Sequence, residues 1–337
     1  MLGKRVLLWI AGILAISLLV FFTGWEDIKL ALAGAEVSLM LVLCLLQLGT
    51  LLLGAYQWRY LLQKSTNISL PRVLGINLAG KFIESVTPSS KLGGEAAKVY
   101  LFRQYTGLKY QSLTSLLLVH KHITLLPFLV LAGLFLLLTA FRFTLPTVVY
   151  FAFFTLVAIF IVLFLFCYRS WQQEGAFEAD LSVQKSRSFL KLLINKGRKA
   201  ISFLEKAATN SQQVLKVKGH CWLLFISLVI WLLYPVKIYL VASMLGFEVS
   251  LALVGVITYG AYVVSMLPLL PGGLGSFEAS MAVMFSLNGL LSAQGLSIAL
   301  LSRLVTYWFP LLLSIAASIY LLSENRVSIP GLSNSTS

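Results

Sequence analysis

Apolar residues run along this chain in blocks too long for the core of a soluble domain. The blocks fall at about residues 6–22, 38–56, 116–140, 147–168, 222–245 and 298–322. Each approaches or exceeds the roughly 20 apolar residues that a helix needs to cross a bilayer. Two further stretches are equally apolar but broken. Residues 73–86 are interrupted by Asn77, Lys81 and Glu84, and Thr87-Pro88-Ser89-Ser90-Lys91-Leu92-Gly93-Gly94-Glu95 then breaks the helix. A helical pattern resumes over 96–105, carrying Lys98 and Arg103. The second broken stretch is Leu267-Pro268-Leu269-Leu270-Pro271-Gly272-Gly273-Leu274-Gly275-Ser276-Phe277-Glu278, between the apolar runs 251–266 and 279–291. Proline and glycine do not carry a helix through such segments. Irregular backbone survives at membrane depth only where protein or a wet cavity satisfies its polar groups. Both stretches therefore read as re-entrant helix pairs, at about 73–105 and 251–291. The expected fold is an all-α polytopic membrane protein with about six spans and two re-entrant pairs. Eight full spans is the alternative.

Composition fits that reading. Of 337 residues 59% are hydrophobic and 11% charged, which no ordinary soluble domain matches. Lys and Arg number 26 against 12 Asp and Glu, for a net charge of +14. In a membrane protein such an excess marks cytoplasmic loops and anionic headgroups, not nucleic acid. Lys4 and Arg5 precede the first block, Arg59, Lys64 and Arg72 follow the second, and residues 169–218 are strongly basic. These assignments place both termini in the cytoplasm of a multi-pass plasma-membrane protein. Residues 1–22 read as a retained first helix, since no small-residue cleavage site follows. Within 169–218, Leu190, Leu193, Ile194, Ile201, Leu204 and Ala208 share one helical face, with Lys191, Lys196, Arg198, Lys199 and Lys206 around them. That pattern fits an amphipathic helix on an anionic leaflet, or alternatively a solvated connector. The tail, 323–337, is polar and expected to be disordered.

The two broken stretches match each other. Pro88 leads to Glu95 by the same step as Pro271 to Glu278, with Gly-Gly between. Lys121 follows Glu95 at nearly the distance at which Arg303 follows Glu278. Residues 1–142 and 143–322 would then be two repeats of three spans each, and an odd number makes them face opposite ways. Inverted repeats around broken helices are the mark of secondary transporters. An acid carried to mid-depth is a functional candidate by default. The plainer alternative is a charge in the first turn of a helix, acting on its dipole. The sequence expectation is that Glu278→Gln leaves expression and thermal stability nearly unchanged and abolishes transport, with Glu95→Gln impaired to a lesser or equal degree.

Pro88-x-x-x-x-Gly93-Gly94-Glu95-Ala96-x-Lys98, with Arg103 and Gly107, resembles the first motif of the lysylphosphatidylglycerol synthase transmembrane-region family. Pro271-Gly272-Gly273-Leu274-Gly275-x-x-Glu278 followed by Gly289 is similar to its second, and Arg303-Leu304-x-x-Tyr307-Trp308-x-Pro310 to its last. The family includes the flippase part of the multiple peptide resistance factors, which also carry a soluble aminoacyl-transferase domain. No long soluble segment follows the last span here, so that domain is not expected. The resemblance implies movement of a polyprenyl, hopanoid or aminoacylated lipid. Many members carry an acid–arginine pair early in the third span, where this chain has His120-Lys121, which puts an ion-pair role there in doubt.

A lipid headgroup crossing the hydrocarbon needs polar partners at mid-depth. Half-helix N-termini offer N–H groups to phosphate oxygens, glycines allow close backbone approach, and cations neutralise charge. The substrate-binding candidates are Pro88, Lys91, Gly93, Gly94, Glu95, Lys98, Arg103, Lys121, Pro271, Gly272, Gly273, Gly275, Glu278, Arg303 and Tyr307. No catalytic constellation, cofactor motif or metal site is found. Cys44, Cys167 and Cys221 have no paired spacing, and His120 and His122 lie two apart on different helix faces, as interface histidines would. Gly273-x-Gly275 lacks the strand–turn–helix setting of a dinucleotide site. The expected function is translocation of a lipid or lipid-linked intermediate with an anionic or phosphate-bearing headgroup. The alternatives are a transferase acting on a polyprenyl-linked substrate, or a scaffold subunit. The expected partners are anionic or isoprenoid-phosphate membrane lipids, with a lipid-modifying enzyme as a further candidate.

Overall fold

The structure, a computed structural model, describes residues 36–86, 91–139, 142–172, 217–266 and 271–324. The expected first span at 6–22, the amphipathic segment around 190–208 and the tail lie outside the described residues.

Among the described residues every regular element is a helix. They are α1 (Val37–Leu62), α2 (Leu70–Val86), α3 (Lys91–Thr106), α4 (Tyr110–Thr139), α5 (Thr147–Gln172), α6 (Val217–Met244), α7 (Leu251–Ser265), α8 (Ser276–Ser286), α9 (Ser292–Arg303) and α10 (Phe309–Ser323). Four described stretches are long and apolar enough to cross a membrane: Val37–Leu62, Tyr110–Thr139, Lys218–Met244 and Ser292–Ser323. Large apolar side chains face outward on α1 (Val37, Leu41, Leu45), α4 (Val130, Leu134, Leu137), α5 (Phe151, Phe154) and α10 (Leu312, Ile319). A soluble protein would hide such a belt, whereas hydrocarbon solvates it. The chain is an all-α polytopic membrane protein.

α2 and α3, with 17 and 16 residues, and α7 and α8, with 15 and 11, are shorter than a full crossing. α2 and α3 pack closely where Gly80 meets Gly94: a Cβ on Gly94 would lie 2.6 Å from the Gly80 carbonyl oxygen. The outer ends of this pair share a face with the end of α1 and the starts of α4 and α6. Gln57 Nε2 donates to Leu223 O and Ser227 Oγ across α1 and α6, and the His122 and His220 rings lie 5.4 Å apart across α4 and α6. The end of α10 joins the same face, where Arg72 grips the Glu324 carboxylate with both guanidinium arms. α7 and α8 open on the other face, where α6 ends. Inside the bundle the Pro271–Gly273 turn of the second pair packs against α2 of the first.

Of the boundaries that differ from the sequence expectation, three bear on the site. α2 begins at Leu70, before residue 73, because Pro71 suits a first helical turn, whose N–H groups have no partner in any case. α3 resumes at Lys91, so Gly93-Gly94-Glu95 is helical and not part of the break. The sixth span starts at Ser292, six residues early, and is interrupted by a π-turn at Leu304–Trp308. Pro310 lacks the N–H that would close a regular turn there. Instead the Phe309 N–H reaches the Leu304 carbonyl, one residue further back than an α-helix requires.

Candidate functional site

The second broken stretch forms a tight turn with Gly272, Gly273 and Gly275 at φ of 62°, 66° and 79°, a left-handed backbone that glycine adopts without steric cost. Space demands glycine as well, because a Cβ on Gly272 would lie 2.6 Å from the Tyr307 ring and hydroxyl. α8 starts immediately after, and Glu278 in its first turn reaches back so that its Oε2 accepts from the Gly275 N–H at 2.7 Å. Glu278 Oε1 accepts from Arg303 Nε at 2.9 Å. Arg303 Nη2 donates to the carbonyls of Gly272 at 3.0 Å and Gly273 at 2.9 Å. The guanidinium lies between the Phe277 and Tyr307 rings, 4.5 and 4.8 Å from their centroids. Glu278 is 1% exposed and Arg303 6%. Arg303 thus satisfies the carbonyls that the break would otherwise leave bare at membrane depth. Glu278 thus caps a helix and pairs with a buried cation at once.

The first pair is arranged more loosely. Glu95 Oε1 accepts from Lys98 Nζ at 2.8 Å and from Lys121 Nζ at 2.6 Å. The other carboxylate oxygen, Oε2, is buried and has no hydrogen-bond partner among the described residues. Lys121 therefore forms the ion pair that its His120-Lys121 setting had put in doubt, with the acid supplied by α3. Lys121 and Arg303 play the same part, each joining a long helix to the acid of a neighbouring short one.

A cavity of about 280 Å³ opens beside this first pair, between α1, α2, α3, α4 and α6. Its walls include Trp58, Asn77, Lys81, Glu84, Lys98 and His120. Trp58 is sandwiched between Phe102 and His120, with ring centroids 4.8 Å away on either side. His120 is buried in this stack and is not an interface histidine. Its two ring nitrogens, Trp58 Nε1 and Asn77 Oδ1 have no hydrogen-bond partner among the described residues. Lys81 lies within electrostatic range of Glu84, Lys98 and Arg303, so the cavity adjoins the glycine turn.

The structure brings Glu95, Lys98 and Lys121 together at one point, and Gly272, Gly273, Gly275, Glu278, Arg303 and Tyr307 at another. Gly94 is a packing contact between α2 and α3, and Gly93 lies one residue before it. Lys91 opens α3, Pro271 opens the glycine turn, and Pro88 lies outside the described residues. Arg103 stands apart, exposed in the last turn of α3 and stacked 4.2 Å over the Tyr110 ring. Sequence reasoning missed Trp58, which looks like one more aromatic in an apolar run. It also passed over Lys237, a fully buried cation on α6 that donates to Gln47 Oε1 at 2.5 Å and lies 4.2 Å over the Tyr234 ring. Lysine inside an apolar run was the available signal. Among the described residues no three His, Cys, Asp or Glu side chains are grouped to hold a metal.

The family profile described as "Lysylphosphatidylglycerol synthase TM region" matches residues 9–314. A UPF0104 membrane protein of Methanothermobacter thermautotrophicus is 26% identical over 94% of this chain and 95% of its own length. A UPF0104 membrane protein of Pyrococcus horikoshii is 22% identical over 92% of this chain and 95% of its own. With its two acid–cation pairs and its glycine turn inside this match, the chain belongs to the lysylphosphatidylglycerol synthase transmembrane-region family.

Proposed function

We propose that this protein translocates a lipid across the cytoplasmic membrane, offering the headgroup polar partners at mid-depth without covalent chemistry. The observation that carries this reading is the meeting of the two broken helix pairs inside the bundle, each with its acid bridged to a cation of a long helix. Two short pairs opening on opposite faces, with the Pro271–Gly273 turn of one packed against α2 of the other, give a polar centre reachable from either side by modest rearrangement. The two halves form an inverted repeat, 1–142 and 143–322, and α2–α3 and α7–α8 are re-entrant. The face carrying Arg59, Lys64, Arg72, Arg103, Lys109 and Lys218 is cytoplasmic by the positive-inside rule.

The halves divide the work. Arg303 already serves the Gly272 and Gly273 carbonyls and Glu278, so the second half is a rigid floor. The cavity lies against α1–α4 of the first half, with α6 closing one wall, so this side receives the headgroup. The test is headgroup accessibility of a labelled phospholipid over time, in proteoliposomes and in protein-free vesicles. Loss of accessible label across the bilayer only when protein is present is the expected result. Equal rates in both preparations would refute translocation.

A further inference from the structure

The cavity beside Glu95 has a charge balance and a set of unused donors that specify its occupant, and both can be read from named atoms. Lys81 and Lys98 line it, and Lys121 reaches Glu95 from α4. Opposing these three ammonium groups are two carboxylates, Glu84 in the wall and Glu95 beside it. One positive charge is left over among these five groups, and Lys237, held by Gln47 Oε1 over the ring of the wall residue Tyr234, is a further cation outside this count. Among the described residues Lys81 makes no ion pair, while Lys98 and Lys121 share the single Glu95 oxygen. An uncompensated cation inside a membrane protein is costly, so an incoming anion is favoured here and an incoming cation is not. The neutral donors point the same way. Trp58 is 1% exposed and its Nε1–H, which can only donate, has no acceptor among the described residues. His120 is 9% exposed and contributes one N–H in either neutral tautomer, also unmet. The Asn77 amide lies in the same wall, and its oxygen and nitrogen can exchange places to suit a ligand. Size limits the occupant further. At about 30 Å³ for each water-sized group the cavity holds about nine, the bulk of a phosphate bearing a short polyol.

We infer that this cavity is a phosphate-anion site that takes a singly charged phosphate headgroup through Lys81, Trp58, Asn77 and His120, and rejects a headgroup made cationic by an aminoacyl substituent. The inference rests on the translocation reading for its role but stands on the cavity for its chemistry. A phosphodiester neutralises the spare charge. A lysyl ester, with two added ammonium groups, would leave more positive charge buried than the empty cavity holds.

Binding to the full-length purified chain tests it, by titration calorimetry with three probes: inorganic phosphate, dihexanoylphosphatidylglycerol and its lysyl ester. Saturable binding of the phosphatidylglycerol, at least tenfold tighter than its lysyl ester, supports the inference. Tighter binding by inorganic phosphate than by the lipid also supports a phosphate-anion site, and assigns it to the free ion. Equal or tighter binding of the lysyl ester overturns it. Lys81→Met should abolish anion binding while leaving the ligand-free protein at least as heat-stable, because it removes an unpaired buried cation, and Lys81→Arg should restore binding. Unchanged affinity in Lys81→Met also overturns the assignment. The same lipids in proteoliposomes separate this inference from the transport reading. Anion binding without transport leaves the site standing and removes translocation. Transport of the lysyl ester alone keeps translocation and removes the anion site.

Discussion

Replacing Glu278 by Gln tests the reasoning about buried charge most directly. The change preserves shape and removes one negative charge from a carboxylate that is 1% exposed. In the native protein its two oxygens serve two donors, Arg303 Nε at 2.9 Å and the Gly275 N–H at 2.7 Å. A glutamine amide has one oxygen and one NH2, so it can accept from only one of them. The other then faces a donor, and an unsatisfied buried polar group costs about 1–3 kcal/mol. Arg303 meanwhile loses its counter-charge, and breaking a buried ion pair by removing one partner costs about 3–5 kcal/mol. These costs overlap, since the amide oxygen can still bond Arg303, and the Gly272 and Gly273 carbonyls continue to hold Nη2. We expect a net loss of about 2–4 kcal/mol. A first-turn charge acting on the dipole alone would be worth about 0.3–1 kcal/mol. The expectation from sequence, that Gln is neutral for stability, does not survive this geometry. The assay is reversible unfolding in mixed micelles, run as a double-mutant cycle with Arg303→Gln. Strong coupling between the two sites is expected. A loss below about 0.5 kcal/mol in Glu278→Gln, or additive effects in the cycle, would show that the pair does not hold the turn.

Glu95→Gln should be milder, about 1–2 kcal/mol, because Lys121 is a third exposed and can turn toward water, and surface-like pairs are weak; an equal or larger loss than in Glu278→Gln would contradict the asymmetry between the halves. Gly94→Ala should destabilise by about 1–3 kcal/mol, since its Cβ would lie 2.6 Å from the Gly80 carbonyl, whereas Gly54→Ala, with nothing within 4 Å, should be tolerated; thermal melting compares them. Arg72 and its hydrogen bonds hold the Glu324 carboxyl below the ordinary carboxylate value of about 4.3. That contact therefore stabilises the α2–α10 end above this value and is lost as the pH falls through the lowered one. Hydrogen exchange at the end of α10 should rise in acid in the wild type and be pH-insensitive in Arg72→Gln, and identical pH profiles would count against the contact.

The apolar blocks revealed the long helices because length and hydropathy alone decide a bilayer crossing. The partners of the two acids were legible too. Charges are so rare in these blocks that Lys121 and Arg303 stood out, and similar spacing from Glu95 and Glu278 pointed to similar roles. What the sequence hid was set by packing between distant segments. Gly93 and Gly94 look like a break, yet α3 runs through them because α2 needs that groove. Trp58, His120 and Asn77 come from three helices, and no local pattern says that they share a wall. The fate of Arg303 was also hidden. A cation beside a glycine turn reads as a ligand for substrate, but its Nη2 is taken by the turn carbonyls and its Nε by Glu278.

The π-turn at Leu304–Trp308 sets a phase. It holds one residue more than an α-helical continuation would, and each residue rotates a helix by about 100°. Arg303 can therefore point at Glu278 while Leu321, eighteen residues on, stays beside Gly75 on α2. Removing a single residue from the turn would rotate α10 by about 100° against α9, and would swing the guanidinium off its carboxylate or lift α10 from α2. The last span is two helices clocked against each other, with the hour set by one surplus residue.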